Sequence, residues 1–232
     1  MRYVLGYLTA LCLLVLIICQ SVIIPTFFMP FYRQQYARLE RAEYIGIESA
    51  ELERVTLELL DYMRGRRDSL QGIRATIGGV EQEFFSYYRD IIHMYDVRVL
   101  YDRLFIVRNV SFFSFIGLLL LMALTKSPIG YLLSRCSREV IVGFLLLSLV
   151  IAGIIAINFE QAWEIFHHIF FDNDLWLLTP PRDRLIMMFP LEFFRNISIF
   201  IGGLLLGASL FVIIASTVYL KRDYKPMFGR YI

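Results

Sequence analysis

Long apolar runs alternate with polar stretches along this chain. Four of the runs carry few charged residues, and each is close to the about 20 residues that an α-helix needs to cross a bilayer. They lack the strict alternation of a membrane β-barrel, so helices are the expected spanning form. The pattern predicts an all-α integral membrane protein with four transmembrane helices, at residues 3–24, 105–124, 140–158 and 197–220.

The composition supports the same class. Of the 232 residues, 58% are hydrophobic, and the mean hydropathy is +0.60, which is typical of integral membrane proteins. The net charge is only +2, so the chain has no electrostatic footprint for nucleic acid. We expect one membrane domain over residues 1–232, with membrane lipid as an immediate partner.

Basic residues concentrate in the segments expected on one side of the membrane. Arg2, residues 126–139 and residues 221–230 together carry eight lysines and arginines against two acidic residues. Residues 160–195, in contrast, carry six acidic residues and three arginines. Short segments rich in lysine and arginine usually face the cytoplasm. We therefore predict that both termini are cytoplasmic and that two long loops, residues 32–104 and 159–196, face outward.

The first long loop has helical periodicity. Leu52, Val55 and Leu59 recur at three- and four-residue steps, with charged residues between them, as on an amphipathic helix. Gly78-Gly79 interrupts the pattern, and a second helical pattern over residues 81–108 is expected to continue into the second span. The loops are thus predicted to form a small helical extracytoplasmic domain at the membrane surface.

The three histidines of the chain all lie in the predicted outer loops. His93 and Asp96 are three residues apart on a predicted helix, so a carboxylate can orient the imidazole. His167 and His168 are adjacent, and Glu164 lies within reach of either one. Polar titratable groups next to lipid are costly, so these residues are candidates for an active site.

Three alternatives remain open at this point. His93, Asp96 and either His167 or His168 have the chemistry of a zinc site, as in a metal-dependent membrane hydrolase. The usual HExxH pattern is absent, however, and we expect no metal. A serine nucleophile is also disfavoured because no GxSxG motif occurs. A non-catalytic membrane scaffold protein is the third possibility.

Two blocks then identify a family. The chain contains HMYDVR at residues 93–98, and FHHIFFDNDLW followed by PPRDRLIMMFPLEFF at residues 166–194. Placed between four spans, these blocks resemble the bacterial lipoprotein intramolecular transacylase family over nearly the whole chain. The resemblance implies that the sn-2 acyl chain of a diacylglyceryl group moves to the α-amine of an N-terminal cysteine, which gives a lyso-form lipoprotein. It also implies that His93 and His167 are the functional histidines.

The resemblance also implies the substrate, the location and the site residues of the protein. The substrate is a diacylated bacterial lipoprotein, and the enzyme is a multi-pass protein of the bacterial cell membrane with its active site on the extracytoplasmic face. No cofactor is required because conversion of an ester to an amide is downhill. We predict His93 as base, oriented by Asp96, and His167 as acid or oxyanion partner, or the reverse. Candidate substrate-binding residues are Asp96, Arg98, Asn173, Asp174 and Trp176.

Overall fold

The computed structural model describes residues 2–224. Residues 225–232, which carry Lys225 and Arg230 of the predicted cytoplasmic C terminus, lie outside that range. The described elements, in chain order, are α1 Arg2–Thr26, α2 Met29–Arg38, α3 Arg41–Ile45, α4 Ser49–Met63, β1 Arg74–Ile77, β2 Val80–Glu83, α5 Tyr88–Leu124, α6 Ile129–Ile157, α7 Phe159–Phe170, α8 Arg184–Met188 and α9 Leu191–Tyr224.

Within the described residues, four helices are long and apolar enough to cross a membrane. They are α1, α5, α6 and α9, which confirms the predicted all-α, four-span class. Their ends differ from the apolar runs because polar residues extend the helices. The predicted loop 126–139, for example, is mostly helical, since α6 begins at Ile129.

The chain divides into two compact units. Among the described residues, the first comprises residues 2–23, 105–157 and 200–224, and the second comprises residues 24–104 and 158–199. In the first unit Thr9 is fully buried and contacts the sulfur of Met122 at 3.7 Å. Cys136 is likewise buried, on α6. Apolar side chains thus pack the described part of this unit around a few small polar groups.

The second unit has its own apolar core. On α4 the periodic positions Leu52, Val55 and Leu59 are at most 1% exposed, as the sequence pattern predicts for one face of an amphipathic helix. Tyr36 of α2 shares a 2.8 Å hydrogen bond with Thr56 of α4 in the interior. Burial of apolar side chains of this size contributes about 1.5–3 kcal/mol each, so α4 anchors the unit.

A β-hairpin in this unit was not predicted. Antiparallel pairing joins β1 to β2, with Ile77 opposite Val80, and Gly78 and Gly79 form the turn with φ angles of 59° and 82°. Two consecutive positive φ angles match the twist of a tight hairpin and favour glycine. The expected helix from Glu81 onward is therefore wrong for its first residues, because α5 begins only at Tyr88.

Candidate active site

His93 lies in the second turn of α5, on a buried face. Its side chain is 8% exposed, and it meets the edge of the Phe171 ring at a centroid distance of 5.2 Å. Among the described residues, no group hydrogen-bonds to its Nδ1 atom. Burial against the Phe171 ring, with no carboxylate partner in the described part of the chain, favours the neutral form of an imidazole.

His167 is held by the helix that carries it. The side chain of Asn158 caps α7 by accepting a hydrogen bond from the Gln161 N–H, which satisfies one of the free donors at the helix start. In the last turn, His167 Nδ1 lies 2.7 Å from the carbonyl oxygen of Trp163. A carbonyl can only accept, so Nδ1 carries the proton. In the neutral ring, Nε2 is then the atom with a free lone pair.

Burial also affects the charge of His167. The side chain is 6% exposed, and this burial lowers its pKa below the ordinary value of 6.5. The hydrogen bond to Trp163 opposes the shift, whereas the neighbouring His168 adds to it. The direction means that His167 is mainly neutral at pH 7, as a general base must be.

The structure brings His93 and His167 together. Their ring centroids are 6.0 Å apart and their planes differ by 32°, although 74 positions separate them in the sequence. Phe171 contacts both rings, at 5.2 Å and 5.6 Å. Two imidazoles from distant segments thus share one aromatic pocket inside the second unit.

Trp176 covers the second imidazole. Its indole stacks on the His167 ring at 4.5 Å with an interplanar angle of 25°, and it also meets His168 edge-to-face at 5.2 Å. The indole Nε1 atom is buried and has no hydrogen-bond partner among residues 2–224. Trp176 therefore lies beside the second imidazole, and its role in substrate binding stays a prediction.

Asp96 has a different partner from the one expected. Its carboxylate accepts a 2.9 Å hydrogen bond from the side-chain amide of Asn173, and His93 Nδ1 has no partner in the described part of the chain. The predicted orientation of His93 by Asp96 is therefore not present. Side chains three residues apart can share a helix face, yet this carboxylate instead joins α5 to the segment that follows α7.

The remaining predicted residues lie at the margin or further away. His168 is exposed, and its Nε2 lies 3.9 Å from a Glu164 carboxylate oxygen. Arg98 donates to the carbonyl of Arg67 at 3.1 Å and lies over the Tyr62 ring, so contacts within the unit already engage it. Asp174 is exposed on the turn after α7.

Asp90 and Arg184 support the site and were missed by the sequence reasoning. Asp90 is fully buried, and its carboxylate accepts from the backbone N–H groups of Arg184 and Leu185 at the start of α8. The Arg184 guanidinium donates to the carbonyls of Glu83 and Phe84 and to the Gln82 side chain. This clamp joins three separate segments one helical turn from His93. The charged residues of the PPRDR sequence indicate a polar segment. The sequence does not specify which distant residues Arg184 contacts.

Metal ligands are not grouped at this site. Among the described residues, no three histidine, cysteine, aspartate or glutamate side chains are arranged as metal ligands. The zinc set considered from the sequence is not assembled, since Asp96 is bonded to Asn173. A separate cleft of about 270 Å³, between α2, α3 and α4, contains neither histidine.

Four spanning helices and a buried imidazole pair define a multi-pass integral membrane protein whose site is equipped for acid–base chemistry. The family model for the lipoprotein intramolecular transacylase Lit matches residues 7–194, so the chain belongs to the Lit family. Membership implies acyltransferase activity on lipoproteins in general terms, which neither the hydrolase nor the scaffold alternative provides. No curated protein shows a significant match to the chain.

Solved structures agree on the fold. The membrane-integral lipoprotein intramolecular transacylase Lit from Bacillus cereus is 19% identical, with a TM-score of 0.75, and the match covers 95% of this chain and 96% of that one. A variant of the same Bacillus cereus protein, with a histidine replaced by alanine, gives 18% identity and a TM-score of 0.72 over 95% and 94% of the two chains. At these identities the similarity establishes the fold.

Proposed function

We propose that the chain catalyses an intramolecular O-to-N acyl shift on diacylated lipoproteins. The sn-2 acyl chain of the diacylglyceryl group moves to the α-amine of the N-terminal cysteine, and the product is the lyso-form lipoprotein. The observation that carries this proposal is the pair of buried imidazoles, His93 and His167, in one aromatic pocket. An amine and an ester in one substrate molecule need only orientation and proton transfer, not an enzyme nucleophile.

The substrate amine enters this pocket in its neutral form. An N-terminal amine has a reference pKa of about 7.7–8.0, so a fraction of it is already unprotonated at neutral pH. A buried apolar surrounding disfavours the ammonium form further. No separate step is then needed to deprotonate an ammonium before the attack.

His167 is the general base in this proposal. Its Nδ1 proton is held by the Trp163 carbonyl, so Nε2 presents the lone pair to the substrate. As the amine nitrogen bonds to the ester carbonyl carbon, Nε2 takes one amine proton. It returns that proton to the sn-2 glycerol oxygen as the C–O bond breaks. The second amine hydrogen stays on the new amide, so every atom and proton is accounted for without a co-reactant.

His93 orients the amine. Its Nδ1 atom is buried and has no partner among the described residues, and in a neutral ring with the proton on Nε2 it accepts a hydrogen bond. A bond from the amine hydrogen that is retained would point the nitrogen lone pair at the ester. The sequence left both assignments open, with His93 as the first choice for the base. The contact of His167 with the Trp163 carbonyl supports His167 as the base, because it leaves Nε2 able to accept a proton. His93 then has neither the acid nor the oxyanion role expected for the second histidine.

The proposed location of the site follows from the distribution of charge along the chain and from the presence of the site in the second unit. We propose that both termini are cytoplasmic and that the second unit, with the site, lies on the extracytoplasmic face of a bacterial cell membrane. Lysine and arginine are enriched in the segments assigned to the cytoplasm, as the positive-inside rule requires. A lipid-anchored substrate could then reach the site from the outer leaflet.

A reporter lipoprotein tests the function. It is expressed in a bacterium with and without this chain, and the acyl positions of its N-terminal lipopeptide are determined by tandem mass spectrometry. The wild-type chain should convert the diacyl form to the lyso form. His167→Ala should lower the rate of conversion by about 10²–10⁴-fold, the usual contribution of an acid–base group. His93→Ala should lower it by about 10²-fold, because the amine is then held less well in the orientation for attack. Full conversion by both variants would contradict the proposal, and loss of activity on adding a chelator would indicate a metal enzyme instead.

A further inference from the structure

Two unsatisfied polar atoms lie in the ring cluster of the site. They are Nδ1 of His93 and Nε1 of Trp176, both buried without a partner among residues 2–224. Leaving a buried donor or acceptor unpaired costs about 1–3 kcal/mol, and such groups in a native structure usually have a functional explanation. The rings that carry the two atoms share a neighbour, since the His93 and Trp176 rings both lie against His167.

The two atoms differ in hydrogen-bonding character. An indole N–H can only donate, whereas Nδ1 of a neutral histidine can accept. The proposed substrate has the complementary pair, an amine that donates and an ester carbonyl that accepts. If His93 Nδ1 receives the amine, Trp176 Nε1 is left with the carbonyl oxygen as the matching acceptor.

The geometry points to Trp176 as a further catalytic residue, whose indole N–H donates to the ester carbonyl oxygen and stabilises the oxyanion formed during acyl transfer. The inference rests on the proposed function, because it requires an ester in the pocket. When the amine attacks, the carbonyl oxygen gains negative charge in a buried site, where a fixed donor is most effective. Stacking on His167 at 4.5 Å holds the donor beside the base. The indole N–H can then stabilise the oxyanion while His167 transfers the proton.

The stacked arrangement also preorganises this donor. The indole contacts His167 with its face and His168 edge-to-face, and the segment that carries it is bonded to α5 through Asn173 and Asp96. A donor held in this way needs little reorganisation when charge develops, which is the condition for a large effect on kcat rather than on KM.

Substitutions that remove only the N–H test the inference. The full chain in detergent micelles, with a synthetic diacylglyceryl-cysteine lipopeptide, is compared with two variants of Trp176. One replaces the residue with benzothienylalanine, which keeps the bicyclic shape but lacks the donor, and the other is Trp176→Phe. We expect both to lower kcat by about 10²–10³-fold, the usual loss for one oxyanion donor, with KM nearly unchanged.

The outcomes separate the possible failures. If the benzothienylalanine variant keeps the wild-type kcat while Trp176→Phe loses activity, the residue acts by shape alone and the inference is overturned. It is also overturned if both variants keep the wild-type kcat, and the proposed function then still stands. If the wild-type chain forms no lyso product, both proposals fail together.

A spectroscopic arm detects the hydrogen bond directly. An N-acetylated diacyl lipopeptide keeps the ester carbonyls but cannot react, whereas its dialkyl ether analogue lacks those carbonyls. The Trp176 indole N–H resonance, assigned from its loss in Trp176→Phe, should move downfield with the ester and not with the ether. Equal shifts with both ligands would contradict donation to the carbonyl.

Discussion

The side-chain amide of Asn173 donates a 2.9 Å hydrogen bond to the carboxylate of Asp96, 77 positions earlier in the chain. Asp96 lies one turn after His93 on α5, and Asn173 lies six residues after His167. Asn173 also accepts from the Leu175 N–H through its side-chain oxygen, so its amide group is fixed at both ends. The contact therefore sets the position of the segment that carries Trp176 relative to the helix of His93.

The Asp96–Asn173 contact should show energetic coupling. A hydrogen bond to a charged group contributes about 1.5–3 kcal/mol when buried, and exposure of this one reduces the value to roughly 1 kcal/mol. Asp96→Ala and Asn173→Ala should each lower kcat/KM several-fold, and the double variant should be no worse than either single one. Rates with the synthetic lipopeptide measure this cycle, and fully additive losses would show that the two residues act independently.

Substitutions of the adjacent histidines, His167 and His168, should differ sharply in their effect on the reaction rate. His168 is 58% exposed and pairs with Glu164 at 3.9 Å, whereas His167 is buried against the other imidazole. His168→Asn removes one edge-on aromatic contact, worth about 0.5–1.5 kcal/mol, and should cost at most about tenfold in rate. His167→Asn, the matched variant, should lose about 10²–10⁴-fold. Equal losses in lyso-product formation would place the reaction outside the buried pair.

The protonation state of His167 is measurable. Burial lowers its pKa below 6.5, so at pH 6.5 most His167 rings should be neutral. Nitrogen chemical shifts of labelled histidine in micelles should show a protonated Nδ1 and a free Nε2, with the signal assigned by its absence in His167→Asn. A dominant Nε2–H tautomer would contradict the contact with the Trp163 carbonyl.

The same shift predicts a sign for the pH dependence of stability. Because the pKa of His167 is lower in the folded state, the unfolded chain takes up the proton first as pH falls below 6.5. The wild-type free energy of unfolding should therefore decrease over that range more steeply than that of His167→Phe, which lacks the titrating group. Thermal denaturation of the two proteins is measured between pH 7.5 and 5.5. If their stabilities fall equally over this range, the prediction is wrong.

Arg184 should contribute strongly to stability. Its guanidinium satisfies two carbonyls and the Gln82 side chain, so Arg184→Met leaves several acceptors unpaired and should cost about 2 kcal/mol. The control is Arg33→Met, which removes an exposed ion pair with Glu53 and should cost less than about 1 kcal/mol. Thermal melting in detergent compares the two, and a smaller loss for Arg184→Met would show that the clamp is not stabilising.

The four spans could be predicted from sequence because an apolar run of bilayer length has few alternative structures. The hairpin could not be predicted as easily. Each strand has only four residues and mixes charged with apolar side chains, so neither shows a clear two-residue alternation. Gly78-Gly79 was interpreted as a helix break, although a glycine pair between short segments also indicates a tight hairpin turn.

The site was predictable as a set of residue types but not as a set of contacts. The rarity of histidine indicated all three histidines, and the resemblance to the family selected His93 and His167. No local pattern reveals that the Trp163 carbonyl fixes one tautomer or that Asp96 bonds to Asn173. Such partners depend on how distant segments pack, and spacing along one helix predicts only which side chains share a face. Asp90, which supports α8 across 94 positions, was missed for the same reason.

The discontinuity of the second unit has a consequence for biosynthesis. Residues 24–104 emerge from the ribosome first, but their partner segment, residues 158–199, follows only after residues 105–157 have been made. Until then α8 is absent, so Asp90 cannot support it. The carbonyls of Glu83 and Phe84 lack the hydrogen bonds from Arg184, and the His93 ring lacks its cover. The nascent chain must therefore contain α5 and α6 before the second unit can close around His93. A chain that ends at residue 157 would lack His167 and, under the proposed function, should form no lyso product.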